Sequence, residues 1–99
     1  MLKLAQVNGV VKKAASAALK RQAGVRNIIS EAALDSEGHE ALHITVVLKR
    51  GEADKITGDT ALDTLVGIEK ALRDASENRL PIVFFAGEEE LEADGDAES

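Results

Sequence analysis

A chain of 99 residues is the size of one domain at the usual ~100–150 residues each, which excludes catalytic machinery built in a cleft between two lobes. With 44% hydrophobic and 30% charged residues the balance is globular, yet Phe84 and Phe85 are the only aromatic residues, so the core is aliphatic and thin. Cysteine is missing altogether, and disulfides, thiolate nucleophiles, Cys-ligated zinc and iron–sulfur clusters are excluded with it.

The formal charge of −6 is unevenly spread. Lys3, Lys12, Lys13, Lys20, Arg21 and Arg26 all lie within residues 1–30, a stretch without a single acid. At the other end Glu88, Glu89, Glu90, Glu92, Asp94, Asp96 and Glu98 crowd the last twelve residues, and residues 1–87 alone sum to +1. A tail of that composition buries too little apolar surface to offset its ordering entropy. One α+β domain over residues 1–87 and a disordered acidic tail over residues 88–99 are therefore expected.

In chain order, Leu2 and Leu4 alternate as in a short strand running to Val7, with Asn8-Gly9 as the turn that follows. Asn8 is a good N-cap for a first helix ending at Gly24, with Val10, Val11, Ala14, Ala15, Ala18 and Leu19 on its buried face. Lys12, Lys13, Ser16 and Lys20 form its polar stripe, which solvation of an exposed face explains; with Arg21, these lysines are also the candidate contacts for anions or nucleic acid. Lys12 and Lys13 interrupt any leader-like apolar run, and no stretch approaches the ~20 apolar residues of a membrane span. A cytoplasmic protein is the expectation.

Val25–Leu34 and Glu40–Arg50 read as strands of a β-hairpin around the turn Asp35-Ser36-Glu37-Gly38. For Ile28, Ser30, Ala32 and Leu34 to share a layer with Leu42, Ile44, Val46 and Leu48, Leu34 must pair near Glu40 and Ile28 near Val46. That register requires a five-residue loop or a bulge. A flexible Gly51–Gly58 connection follows. Asp59 or Thr60 then caps a second helix bearing Ala61, Leu65, Ile68, Leu72 and Ala75, its stripe widened by Leu62 and Val66; Asn78 closes it and Pro81 prevents its continuation.

Leu80–Ala86 is apolar on both alternating rows, as in a strand covered on both faces. The order helix, strand, strand, helix, strand is an αββαβ two-layer α/β sandwich. A mainly antiparallel sheet of three strands, or of four if residues 2–7 complete a ferredoxin-like βαββαβ plan, would carry two helices on one face. The layout over residues 8–86, with Ala23-Gly24-Val25-Arg26-Asn27-Ile28 leading from helix into hairpin, resembles ACT domains and the cytosolic domain of cation-diffusion transporters. The resemblance implies a shape and no activity. Heavy-metal-associated domains share that plan, but the Cys-x-x-Cys pair they depend on is missing here.

His39-Glu40-Ala41-Leu42-His43 matches H-E-x-x-H and resembles the zinc metallopeptidases of the zincin class. The resemblance would make His39 and His43 zinc ligands and Glu40 the base that activates a metal-bound water, with Glu52, Asp54 or Asp59 supplying a third ligand. The mechanism needs a helix, in which positions i and i+4 share a face; in a strand they stand roughly 13 Å apart. Gly38 before the motif and Ile44-Thr45-Val46-Val47-Leu48 after it favour a strand. His43 is then expected on the outer face, beside Glu31 across the hairpin, with His39 at the loop edge.

Asp59, Asp63 and Glu69 match no acid–base pair, and Thr57-Gly58-Asp59-Thr60 offers a helix start disfavoured for anions by its own acids. Two helices cover only one face of a three-stranded sheet. The expectation is thus a non-enzymatic binding module without cofactor, self-associating as a homodimer through an open face formed by Ile29, Val47, Val83 and Phe85, and leaving room for a protein partner. A zinc peptidase using His39, Glu40 and His43 and a nucleic-acid binder using the basic first helix are the alternatives.

Overall fold

The computed structural model describes residues 1–20 and 22–91, in the order α1 (Leu4–Leu19), β1 (Val25–Leu34), β2 (Glu40–Leu48), a 3-10 turn at Ala53–Lys55, α2 (Gly58–Asp74) and β3 (Leu80–Gly87). A single turn of helix, residues 88–91, continues from β3. The architecture is the expected α+β αββαβ sandwich with an open sheet of order β1-β2-β3.

The hairpin register follows from its apolar rows. Leu34 pairs with Glu40, Ala32 with Leu42, Ser30 with Ile44 and Ile28 with Val46, across the five-residue loop 35–39, with an irregularity between Val25 and Asn27. Any one-residue slip would turn Leu42, Ile44, Val46 and Leu48, all fully buried, toward the other face. Gly38 takes φ +84 in the loop, a conformation that glycine adopts without a Cβ clash.

Several expectations need correction. The sheet is mixed and three-stranded: β1 and β2 are antiparallel, but β2 and β3 are parallel, because α2 carries the chain back to the end of the sheet where β2 begins. The four-stranded ferredoxin-like option falls, since residues 4–7 already belong to α1. The helix starts at Leu4 instead of after Asn8, because Val7, Val11, Ala15 and Leu19 form one i, i+4 stripe that is fully buried and has Val7 as its first member. Extended Lys3 stands at the N-cap, and its N–H donates to Gln6 Oε1 at 3.0 Å. The same helix stops at Leu19, well short of Gly24.

In α2 the capping residue is Thr57, whose Oγ1 accepts from the Thr60 N–H at 3.2 Å, in place of Asp59 or Thr60. Its buried positions are Thr60, Thr64, Ile68 and Leu72, whereas Leu62 and Val66 are 60% and 54% exposed and widen no buried stripe. Threonine is tolerated there because its hydroxyls are hydrogen-bonded. Thr64 Oγ1 donates to the Thr60 carbonyl at 2.8 Å, and Thr60 Oγ1 donates to Gln22 Oε1 at 2.8 Å, tying the connection after α1 to the start of α2.

Both helices contribute to one core. Val7, Val11, Ala15 and Leu19 of α1 and Ile68 and Leu72 of α2 cluster with Ile28 of β1 and Leu42, Ile44, Val46 and Leu48 of β2, and Val83 and Phe85 of β3 pack against them. Small Ala and Val side chains on α1 allow the helix to lie close to β1. The opposite face of the sheet receives no helix among the described residues.

Candidate functional site

Strand parity assigns the open face. Side chains alternate, so the row opposite the core consists of Asn27, Ile29, Glu31 and Ala33 on β1, Ala41, His43, Thr45 and Val47 on β2, and Leu80, Ile82, Phe84 and Ala86 on β3. Ile29 and Val47 lie on that face as expected. Val83 and Phe85 do not: they pair with Ile44 and Val46 and share their inward direction against the core, so the β3 side chains on the open face are Ile82 and Phe84. Both rows of β3 are apolar, and periodicity alone could not say which row faces the helices.

The face is uneven. Ala41 and Val47, in the central strand, are buried at 0% and 3% exposure, Ile29 and Ile82 are half-buried, and Phe84 is 49% exposed. The His43 ring lies beside Phe84, centroids 4.6 Å apart and planes tilted by 41°, with Glu31 opposite His43 in the register. A diagonal contact of this kind fills the space between neighbouring strands. Polar groups collect toward β1 (Asn27, Glu31), while β3 contributes only apolar side chains to the face.

The H-E-x-x-H segment is extended. His43 is a β2 residue, as the β-branched run after it predicts, so the helical geometry in which two His share one ion is not formed. His39 closes the hairpin loop. Asp35 Oδ1 accepts from the N–H groups of Glu37 at 2.9 Å and His39 at 2.8 Å, while His39 Nδ1 lies 3.5 Å from Asp35 and 3.6 Å from Glu37. The backbone hydrogen bond from His39 leads the effects that lower the Asp35 pKa. Glu52 is turned to the Gly24 N–H at 2.7 Å, and Asp59 stays in the exposed first turn of α2. Among the described residues no three His, Cys, Asp or Glu side chains gather where they could hold a metal ion.

Lys12, Lys13 and Lys20 are exposed on α1, and Arg21 lies outside the described residues. These cations belong to the helix layer, whereas the exposed phenyl ring of Phe84 stands on the opposite side of the sheet. A single strand cannot stack on that ring and follow those cations at once. Residues 88–91, expected in the tail, form a turn of helix, with Glu88 and Glu89 folding back on the body; the disorder expected of residues 92–99 lies outside the described residues.

Sequence reasoning missed the best-buried charges. The Glu77 side chain is wholly shielded and the Arg79 side chain is 9% exposed. The Glu77 carboxylate accepts from Arg79 Nε at 3.0 Å, Arg79 Nη2 at 2.9 Å, the Arg79 N–H at 3.0 Å and the Leu2 N–H at 2.9 Å, while Arg79 Nη2 also donates to the Leu2 carbonyl at 2.8 Å. The Arg79 hydrogen bonds hold the Glu77 pKa down at about 2 in spite of burial, which would raise it. Arg79 also lines two shallow clefts, one of about 230 Å³ with Leu34 and Glu40 and one of about 340 Å³ with Glu69 and Arg73. The only sequence signal was an acid and an arginine two residues apart between a helix and a strand, which is common on surfaces.

Compared with family models, with curated proteins and with solved structures, the chain finds no significant match. No helix among the described residues is long and apolar enough to cross a membrane.

Proposed function

We propose that the chain is a binding module without catalytic chemistry that self-associates through the open face of its sheet, with a second copy of itself as the occupant. The observation that carries this is the half-exposed Phe84, beside the His43 ring and flanked by Ile82, on a face that no helix covers among the described residues. Charge favours a second copy over a charged partner: on a chain of net −6, this face carries only Glu31 as a formal charge at neutral pH.

The distribution of polarity sets the geometry. A two-fold axis near Phe84 brings the apolar β3 sides of two copies together and leaves Asn27 and Glu31 at the rim, the arrangement of an apolar interface core within a polar surround. Three strands at ~4.8 Å spacing and eight residues at ~3.3 Å rise give a planar footprint of roughly 380 Å² per copy. Side-chain relief brings two such footprints toward the ~1,000 Å² floor of specific interfaces, so the dimer is weak and reversible, with micromolar affinity.

Sedimentation velocity across 5–500 µM protein, roughly the range that a weak interface of this size demands, tests it. The wild type should pass from monomer to dimer. Phe84→Ala should raise the dimer Kd at least tenfold, about 1.4 kcal/mol, while leaving the circular dichroism spectrum unchanged because half of the ring is outside the fold. A wild type that stays monomeric at the highest concentration removes the proposal.

A further inference from the structure

At the far end of β2 the chain holds two of its own carboxylates in a cradle of donors. Glu88 accepts from Arg26 Nε at 3.0 Å and from the Arg50 N–H at 3.2 Å. The Gly51 N–H is shared by both oxygens of Glu89, at 3.1 and 3.3 Å. Two glycines make the arrangement available. Gly51 adopts φ +78, which lets the successive N–H groups of Arg50 and Gly51 turn toward one anionic zone, and a Cβ on Gly87 would collide with the Glu89 carboxylate.

The Arg26 guanidinium and the charge of Arg50 add positive potential, and the hydrogen bond from Arg26 is the leading cause of the lowered Glu88 pKa. This corner thus accommodates two negative charges on adjacent carboxylates, the same charge that one phosphate dianion presents on a single tetrahedral group. Glu88 and Glu89 are covalently attached to the strand that borders the cradle. They compete at the high effective concentration of an intramolecular ligand, so an external anion must displace them.

We propose that the corner formed by Arg26 and the Arg50 and Gly51 N–H groups is a binding site for phosphate groups, occupied at rest by Glu88 and Glu89 of the same chain. Ligand binding and release of these two carboxylates are then one event: a phosphate that enters sets Glu88 and Glu89 free. The site is independent of the open sheet face, which lies on other residues.

Amide chemical shifts of the full-length chain, followed during titration at constant ionic strength, test this with inorganic phosphate in one arm and O-phosphoserine in the other. In the Glu88→Gln, Glu89→Gln double variant the Arg50 and Gly51 amides should shift saturably, with an apparent Kd at least tenfold below that of the wild type. Adding Arg26→Ala should weaken binding at least fivefold. Response to inorganic phosphate alone assigns the site to free phosphate, and response to both probes assigns it to phosphorylated chains as well. Equal titrations of wild type and double variant, or the absence of saturable shifts at Arg50 and Gly51 in both, overturn the proposal. Should the double variant fail to give a native spectrum, Glu88→Gln alone carries the same comparison.

Discussion

Glu77 shows what a single buried charge asks of its surroundings. Its carboxylate has four donor contacts within 3.0 Å, three from Arg79 and one from Leu2, and with them it joins the start of the chain to the entrance of β3. Removing one partner of such a pair strands the other in a water-poor site, so Glu77→Gln and Arg79→Ala are each expected to lower stability by about 3 kcal/mol at neutral pH. The sign of the pH effect follows from the depressed pKa. Above about 4.5, the usual value, both native and unfolded chains are ionised at this group and its contribution is complete. As pH falls from there toward about 2 the unfolded chain takes up a proton that the native chain refuses, and stability is lost across that window. Urea melts at pH 7, 4 and 3 should show the wild type losing more stability with acid than Glu77→Gln. Parallel losses, or a variant within ~0.5 kcal/mol of wild type at pH 7, would show that the pair contributes little. None of this was legible in the sequence, because an Asp, Glu, Lys or Arg is by default a surface residue and only its tertiary partners reveal otherwise.

Among the elements, legibility depended on how many independent signals agreed. The hairpin carried three: β-branched strands, a turn-forming loop with glycine at its left-handed position, and two apolar rows that coincide in one register only. Its pairing was therefore readable residue by residue. The start of α1 carried conflicting signals, since Asn8-Gly9 suits a turn, while Val7 completes the stripe of Val11, Ala15 and Leu19; burial of that stripe prevailed. At the end of α2 the stop is made without glycine. The Ser76 N–H donates to the Arg73 carbonyl at 3.0 Å and the Glu77 N–H to the Leu72 carbonyl at 2.9 Å, a Schellman ending whose left-handed position, Ser76 at φ 67, carries a side chain. That conformation is costly for an L-residue and free for glycine. Ser76→Gly should accordingly stabilise the fold by about 1 kcal/mol, a rise in Tm of roughly 4–8 °C for a domain of this size. The same substitution fixes the direction in which Glu77 enters its site, so a fall in Tm would show that Ser76 holds the turn by a contact other than its backbone.

For the molecule as a whole, the deciding quantity is how charge and greasiness are apportioned between its sides. The helix layer bears Lys12, Lys13 and Lys20, Glu88 folds back beside Arg26, and the open sheet face is nearly uncharged. The proposed self-association and its nucleic-acid alternative respond oppositely to salt. Two copies of net charge −6 repel each other at long range, and raising salt screens that repulsion without weakening apolar contact between Phe84 and Ile82 rings and stems. The proposed dimer should therefore tighten between 20 mM and 500 mM NaCl, where the Debye length falls from about 20 Å to about 4 Å. Binding of a polyanion to the α1 lysines would weaken over the same range, because each phosphate contact releases a condensed counterion. Sedimentation equilibrium of the full chain at both salt concentrations separates the cases. A dimer that loosens as salt rises would mean that charged groups across the interface, rather than the apolar row centred on Phe84, hold the copies together, and the two-fold axis would then have to lie nearer Glu31 and His43.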